Sequence, residues 1–159
     1  MRFSSKQDIE APLQEVFRSL TDFDAWETAA MRRGADVART DRLTSKVAGL
    51  SWQAKFSYRG KERNLTLKLT EIDQPTHLAF AGQSAAIDGQ ATVDLLELGA
   101  RRTRMHLVLE ITPRSLAARL FLQSLRLARA RIDRKFDHRI AQLAGEIEQR
   151  YRGPTDMRR

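Results

Sequence analysis

The sequence predicts an α+β fold, with an antiparallel sheet of six to seven strands, two short helices after the first strand and one long C-terminal helix. The long helix is indicated by Thr112–Tyr151, where apolar residues recur at steps of three and four and no Gly or Pro follows Pro113 until Gly145. The sheet is indicated by residues 35–111, where the apolar period is two and turn residues separate the runs. Strands followed by a helix, without regular alternation, are typical of α+β proteins.

The first segment, Phe3–Ala11, alternates weakly between apolar and polar residues and predicts a strand. Pro12 ends this strand and can open a short amphipathic helix. Asp24 and Glu27 have the spacing of a capping box. We therefore expect a second short helix that begins near Asp24 and ends near Arg33.

Turn residues divide the middle of the chain into short strands. The strands are expected at Leu50–Tyr58, Asn64–Ile72, His77–Ala81, Gln90–Leu98 and Arg102–Ile111, with a weaker strand near Val37. The expected turns are Arg59-Gly60-Lys61, Asp73-Gln74-Pro75, Asp88-Gly89 and Gly99-Ala100-Arg101. Because these turns are short, strands that follow one another should pair antiparallel. One apolar face of this meander should be covered by the long helix, which at ~1.5 Å per residue is on the order of 55–60 Å long.

The long helix has two features besides its apolar face. Thr112 is expected to cap it, with Pro113 at the first helical position. Its opening turns are apolar nearly all round, which is typical either of a buried helix or of a surface that contacts a lipid, a membrane or a partner. Arg129 and Arg139 project near the core stripe, where each guanidinium either stays in water or pairs with a carboxylate of the protein or of a ligand.

Length and composition predict one domain. A chain of 159 residues without linker or repeat fits a single domain over residues 1–151, followed by a disordered tail over residues 152–159. Cysteine is absent, which excludes disulfides and thiolate metal sites. No early apolar run resembles a signal peptide, and no apolar segment reaches the length that spans a bilayer. We therefore expect a cytoplasmic protein.

The net charge is +8, and much of the excess lies on the final helix. The basic cluster consists of Arg114, Arg119, Arg126, Arg129, Arg131, Arg134, Lys135 and Arg139. Such a face occurs where proteins approach nucleic acid or anionic lipid, and also on solvated helices of arginine-rich proteins. Acidic residues interrupt the cluster and no aromatic residues interleave with it, so we do not expect nucleic-acid binding. A peripheral contact with a membrane or an acidic protein stays open.

Catalytic and metal-binding patterns are not found. His77, His106 and His138 are isolated and show no paired metal-ligand spacing. No HExxH, DxD, GxSxG or phosphate-cradling glycine loop occurs, and the carboxylates near the strands form no acid/base pair. The sequence therefore favours a binding protein over an enzyme and predicts neither a metal nor a cofactor.

The order of the predicted elements and two segments of sequence carry a resemblance to a known superfamily. The segments are Ile9–Glu27, IEAPLQEVFRSLTDFDAWE, and Arg131–Arg150, RIDRKFDHRIAQLAGEIEQR. They resemble the START-like (SRPBCC) superfamily, which includes polyketide cyclases/dehydrases, lipid-transfer domains and coenzyme Q-binding relatives. The resemblance implies a helix-grip fold, in which a curved sheet wraps around the C-terminal helix and leaves a mostly apolar cavity. Members often have proline before the tryptophan of the second helix, whereas Ala25 precedes Trp26 here, so the entrance is expected to differ.

Inward-facing strand residues and the helix stripe would line such a cavity. The predicted ligand-binding residues are Trp26, Met31, Trp52, Phe56, Tyr58, Leu67, Leu69, Phe80, Val93, Leu107 and Arg129. Trp26 and Met31 would guard the entrance, and Arg129 with Tyr58 would orient a ligand head. The same residue types fill ordinary cores, so each also has a plain packing interpretation.

We therefore predict a soluble binding protein for a small hydrophobic or amphipathic ligand, as a monomer or a weak homodimer. One alternative is an enzyme of the cyclase/dehydrase kind, which would use an Arg, Tyr or His of the same cavity for proton transfer. The other alternative is an interaction protein that docks through its basic C-terminal helix and the apolar opening turns of that helix.

Overall fold

The chain forms one antiparallel sheet and four α-helices, and the computed structural model describes residues 1–156. The strands are β1 Arg2–Ile9, β2 Asp36–Arg39, β3 Ser51–Tyr58, β4 Lys61–Asp73, β5 His77–Gln83, β6 Ile87–Gly99 and β7 Arg102–Pro113. The helices are α1 Leu13–Leu20, α2 Phe23–Arg32, α3 Leu116–Ser124 and α4 Arg129–Asp156, with a 3₁₀ turn over Leu125–Ala128. Within residues 1–156, none of the helices has an apolar stretch of the length that a transmembrane span requires.

The seven strands lie in the order β1-β7-β6-β5-β4-β3-β2, which confirms the predicted meander and helix-grip topology. From β2 to β7, each strand pairs with the next one along the chain. β3 and β4 are joined by Arg59 and Gly60, whose φ angles of 52° and 73° suit a two-residue hairpin turn. β1 pairs instead with β7, with Arg2 opposite Glu110 and Ile9 opposite Thr103.

The turn predicted at Asp88-Gly89 is wrong. Both residues lie inside β6, where Gly89 pairs with Gly82 of β5. The turn lies between β5 and β6, where Ser84 N donates to Ile87 O at 2.9 Å and Ile87 N donates to Ser84 Oγ at 3.1 Å. The turn is thus closed by hydrogen bonds of Ser84, and it does not use the glycine on which the sequence prediction relied.

The capping box predicted for the second helix is also wrong. α2 begins at Phe23, and Asp22 caps it by accepting a hydrogen bond from Ala25 N at 3.4 Å. Because the helix is already capped at Asp22, Glu27 is free for another contact. Its Oε1 accepts a hydrogen bond from Trp52 Nε1 at 2.6 Å, which joins α2 to β3.

The C-terminal helix starts later than predicted and is not continuous. Thr112 and Pro113 belong to β7, and Pro113 pairs with Ile87 of β6. The pairing of β7 with β1 ends at Glu110, so the missing N–H of Pro113 costs no bond on that side. Ser115 is the actual cap of α3, and its Oγ accepts from Ala118 N at 3.0 Å.

The second half of the C-terminal segment packs along β1. The carboxylate of Asp137 accepts hydrogen bonds from Ser5 Oγ at 2.5 Å and from Gln7 Nε2 at 3.0 Å. Further along α4, Ala144 and Ile147 enter the core formed by the sheet and α1. α4 therefore covers the apolar side of the sheet mainly at its β1 edge.

The predicted tail at residues 152–159 overlaps the end of α4. Helical assignment extends to Asp156, but Gly153, with φ 42° and ψ −148°, interrupts the helical backbone. Residues 157–159 lie outside the described residues.

Candidate functional site

Alternate strand residues form an inner face of the sheet, on the side of the core. The register places apolar residues side by side in rows that cross several strands, because paired residues of antiparallel strands point to the same side. One row consists of Trp52, Leu67, Gly82, Gly89 and Ile111, and the next consists of Leu69, Phe80, Ala91, Leu109 and Phe3. The sheet thus presents a continuous apolar surface from β3 to β1.

This inner face is closed at one end and open at the other. In β4, Leu69 is fully buried, whereas Leu67 and Leu65 are only half-buried. In β7, burial falls in the same way from Met105 to the half-buried Leu107. The exposed end is the one that carries the β3–β4 turn and the start of α3. We call it the open half, and its residues are Phe56, Arg63, Leu65, Leu67, Phe80, Gly82, Ala91, Leu107 and Leu109.

Arg63 is the charged member of the open half. It pairs with Phe56 across β3 and β4 and alternates in phase with Leu65 and Leu67, so its side chain leaves the sheet on the inner side. Its Nε is buried and has no hydrogen-bond partner among the described residues. Buried N–H groups are nearly always paired, so an unpaired one indicates a place where an acceptor can bind. The alternation of β4 contains this position, but the predicted site did not include it.

The structure divides the predicted site residues by burial. Trp52, Leu69 and Val93 belong to the buried core, and Trp26, Leu67, Phe80 and Leu107 are partly buried against it. Phe56, Tyr58 and Met31 are exposed, with Met31 on α2 and the two aromatic residues on β3. Leu67, Phe80 and Leu107 therefore share the open half with Phe56. The other aliphatic candidates, Leu69 and Val93, lie on the same face of the sheet but are buried in the core.

Arg129 lies at the opposite edge of the sheet. Its Nε donates to Asp133 Oδ1 at 3.0 Å, its guanidinium also donates to Arg2 O, and its Cζ lies 4.8 Å from the centre of the Phe3 ring. Five strand spacings separate β1 from β3, about 24 Å along the sheet. The structure thus does not bring Arg129 together with Tyr58.

A polar cleft of about 740 Å³ surrounds Arg129 on the α4–β1 side. Its lining consists of Arg2, Ser4, Arg129, Asp133, Arg134, Asp137, His138 and Ala141. Charged and polar side chains make up this lining except for Ala141, and Arg129 pairs with Asp133 within it, so the cleft lacks the apolar side chains typical of a site for a hydrophobic ligand.

Trp26 lies where α1, α2 and α4 meet. Its Nε1 donates to Ser19 O at 3.1 Å, and the guanidinium of Arg150 lies 5.9 Å from its ring centre. Arg150 also donates to Asp22 Oδ2 at 2.5 Å and so ties α4 to the start of α2. The structure therefore gives Trp26 a packing role at this junction.

Arg59 joins the β3–β4 turn to α3 beside the open half. Its guanidinium lies 5.5 Å from the ring centre of Tyr58 and 5.4 Å from that of Phe121. Such cation–π contacts hold the turn and the helix close together at the rim. The turn pattern located Arg59, but nothing in the sequence placed Phe121 opposite to it.

The groups with shifted pKa values lie outside the open half. Hydrogen bonds from Arg39 and from Ser51 N hold the pKa of Asp41 far below its usual range. Hydrogen bonds with Asp94 and Glu71 raise the pKa of His77. In the described part of the chain, no group of three or more His, Cys, Asp or Glu residues could hold a metal ion.

Comparison with protein families identifies one family that matches nearly the whole chain. The family described as "Polyketide cyclase / dehydrase and lipid transport" matches residues 1–148. None of the curated proteins in the comparison matches the sequence.

Solved structures share the architecture at low sequence identity. The Zhui aromatase/cyclase from Streptomyces sp. R1128 has a TM-score of 0.65 at 15% identity, over 94% of each chain. A protein from Thermus thermophilus has a TM-score of 0.67 at 16% identity, over 95% of this chain and 97% of that one. A START superfamily protein from Mycobacterium smegmatis has a TM-score of 0.57 at 13% identity, over 89% of this chain and 98% of that one. At these identities the structural similarity establishes the fold alone.

Proposed function

Because this chain belongs to the polyketide cyclase/dehydrase and lipid transport family, we propose that it binds a small hydrophobic or amphipathic molecule on the open half of its inner face. The observation that carries the proposal is the contiguous, half-exposed apolar surface that strands β3 to β7 present there. Contiguous exposed apolar surface on a folded domain is typical of a binding site.

Arg63 gives the proposed ligand a polar end. An arginine side chain forms paired hydrogen bonds with carboxylate or phosphate oxygens, and the strength of these bonds rises where water is excluded. The unpartnered Nε of Arg63 lies on the same side as Leu65 and Leu67. An amphipathic molecule with an apolar body and an acidic or carbonyl head fits this combination.

Binding is favoured over catalysis by the chemistry of the same residues. A guanidinium stays protonated in proteins, so Arg63 can hold an anion but cannot exchange a proton with it. Tyr58 is 53% exposed at the rim, where water competes for its hydroxyl. A cyclase/dehydrase reaction would need a second titratable group inside the open half, and none of the described inward residues there supplies one.

A fluorescence titration with 1-anilinonaphthalene-8-sulfonate, an aromatic sulfonate, tests the proposed site. Gly82→Ile should weaken binding of this dye at least about tenfold, because the added side chain occupies apolar space in the open half. A Cβ at Gly82 meets Leu65 Cδ1 at 3.5 Å and Leu67 Cδ1 at 3.7 Å, which are ordinary contacts, so the backbone at this position accepts a side chain. Arg63→Met should weaken binding by about tenfold, through loss of the sulfonate contact.

Lys68→Met is the matched control for Arg63→Met. It removes one cation from the same strand, but Lys68 is exposed and lies on the outer side of β4. Dye affinity should then equal that of the unchanged protein. Equal affinity in the Gly82→Ile variant would contradict the proposal, since the dye would bind elsewhere. Native mass spectrometry of the purified protein would identify a ligand that remains bound.

A further inference from the structure

The start of the C-terminal segment exposes a stripe of leucines. Leu127 is 98% exposed, Leu116 is 71% exposed and Leu120 is 57% exposed. Their spacing of four and seven residues places them on one side of α3 and the following 3₁₀ turn. We call these residues the leucine stripe. In the described structure nothing packs over it, which settles the alternative left open by the sequence in favour of an exposed surface.

Cations surround the leucine stripe. Arg119 and Arg126 are exposed beside it, and Arg59 lies over the ring of Phe121 on the neighbouring turn of α3. The basic side continues on α4, where Arg131, Arg134, Lys135, His138 and Arg139 line a cleft of about 550 Å³. Arg119, Arg126 and the basic residues of this cleft form no salt bridge within the described residues. These charges are therefore available to an external anion.

We propose that the leucine stripe and its flanking arginines dock on the surface of an anionic lipid bilayer. A helix with leucines on one side and arginines beside them is suited to the boundary between headgroups and acyl chains. The leucines enter the apolar layer, and the arginines meet the phosphates of anionic lipids. Leu127 leads the insertion because it is the most exposed of the three.

Other occupants fit this surface less well. A second copy of the chain would bring Arg119 and Arg126 close to the same residues of its partner, and like charges repel. An RNA backbone would engage the arginines but leave the leucine stripe in water, since bases stack on aromatic side chains and not on leucine. Only a partner that is both anionic and apolar uses the two features together.

Docking in this way would place the open half beside the membrane. α3 follows β7 directly, and Phe121 contacts Arg59 at the rim of the open half. A hydrophobic molecule could then pass between bilayer and protein with a short path through water. The docking itself stands on the leucine stripe and the arginines, so it holds whether or not the open half binds a ligand.

Vesicle flotation tests the proposal with the full-length protein. The protein should float with vesicles of equal parts phosphatidylcholine and phosphatidylglycerol but remain at the bottom with vesicles of phosphatidylcholine alone. Leu127→Gln should reduce partitioning about tenfold, because one leucine no longer enters the apolar layer. Arg119→Glu with Arg126→Glu should reduce it at least about 25-fold, since each cation near an anionic surface contributes about fivefold. Added salt should weaken binding.

Matched controls lie on the outer face of the sheet. Leu96 is 57% exposed, as Leu120 is, and Leu96→Gln should leave partitioning unchanged. Lys55→Glu with Lys68→Glu makes the same change in net charge on the outer side of β3 and β4, and should have less effect than the arginine pair. Equal partitioning onto both vesicle types, or none onto either, would overturn the proposal. So would tight binding of an RNA homopolymer that needs the arginines but tolerates Leu127→Gln.

The two proposals fail separately. Leu127→Gln should not change the affinity for the sulfonate dye, and Gly82→Ile should not change vesicle flotation. Unchanged dye affinity in the Gly82→Ile variant, together with intact flotation of the unchanged protein, would remove the ligand site and keep the docking surface.

Discussion

His77 lies between two carboxylates on the outer face of the sheet. Its Nδ1 lies 2.7 Å from Asp94 Oδ1, and its Nε2 lies 2.7 Å from Glu71 Oε2. A neutral imidazole has one N–H, so both contacts are favourable only when the ring is protonated. This is why hydrogen bonds with Asp94 and then Glu71 raise the pKa of His77.

The free energy of unfolding should therefore depend on the protonation of His77. The folded state raises its pKa above the ordinary value of about 6.5, so the stabilisation is complete below that pH and is lost as the pH rises through the raised pKa. The effect should be about 1 kcal/mol or less, because Glu71 and Asp94 are 65% and 59% exposed. Urea unfolding at mildly acidic and alkaline pH measures it. His77→Gln should remove this pH dependence and His106→Gln should retain it; the same pH dependence in both variants would contradict the assignment.

Thr103 is a buried hydroxyl that satisfies a buried carbonyl. Its Oγ1 donates to Ala11 O at 2.9 Å, and both residues are fully buried. Thr103→Val keeps the shape but leaves the Ala11 carbonyl unpaired, so the free energy of unfolding should fall by about 1–3 kcal/mol. Thr92→Val, on the outer face of β6, should change stability by less than about 0.5 kcal/mol. Equal urea midpoints for the two variants would show that the bond between β7 and the β1–α1 connection contributes nothing.

Among the elements, α3 is held by its cap more than by packing. Ala118 is its one buried residue, and the helix starts where Ser115 Oγ accepts from Ala118 N at 3.0 Å. α4, in contrast, is fixed along its length by Asp137, Ala144 and Ile147. A weakly anchored helix beside a firmly anchored one can adjust its position without unfolding the domain.

Ser115→Ala should thus loosen α3 alone. Loss of an N-cap costs about 1 kcal/mol of helix stability, so amide hydrogens of α3 should exchange severalfold faster while those of β7 keep their protection. Hydrogen exchange read by mass spectrometry measures both. Ser124→Ala, at the other end of the helix, is the control and should leave the first turn of α3 protected. Faster exchange throughout the sheet would mean that α3 stabilises the whole domain.

Over the whole molecule, periodicity predicted the strands, and the short turns predicted the pairing of β2 to β7, but neither predicted the pairing of β1 with β7 or the ends of the elements. The alternation in β4 and β7 is strong because one side is apolar, whereas Gly89 and Pro113 have residue types that fit a turn or a helix start as well as a strand. Gly89 is part of a strand because it pairs with Gly82 of β5, and Pro113 is part of a strand because it pairs with Ile87 of β6. Local sequence does not contain that information.

The sequence predicted which residues face the inner side of the sheet, but not how much of that side is exposed. The period of two identified Phe56, Leu67, Phe80 and Leu107 as inward-facing residues, and the structure places all of them on the inner face. How much of that face is covered depends on the path of α4 along β1, which is held by the hydrogen bonds of Asp137 and by the burial of Ala144 and Ile147. Arg63 became notable only because the helix leaves this end of the face open.

The pairing of β1 with β7 has a consequence during synthesis. β1 is synthesised before the other strands of this sheet, but its hydrogen-bonding neighbour β7 is complete only after Pro113 has been added. At about 5–20 residues per second, that interval is on the order of 5–20 s, during which β1 has no partner strand. Chaperones that shield unpaired β-strands would therefore have their greatest effect on the yield of this protein in that interval.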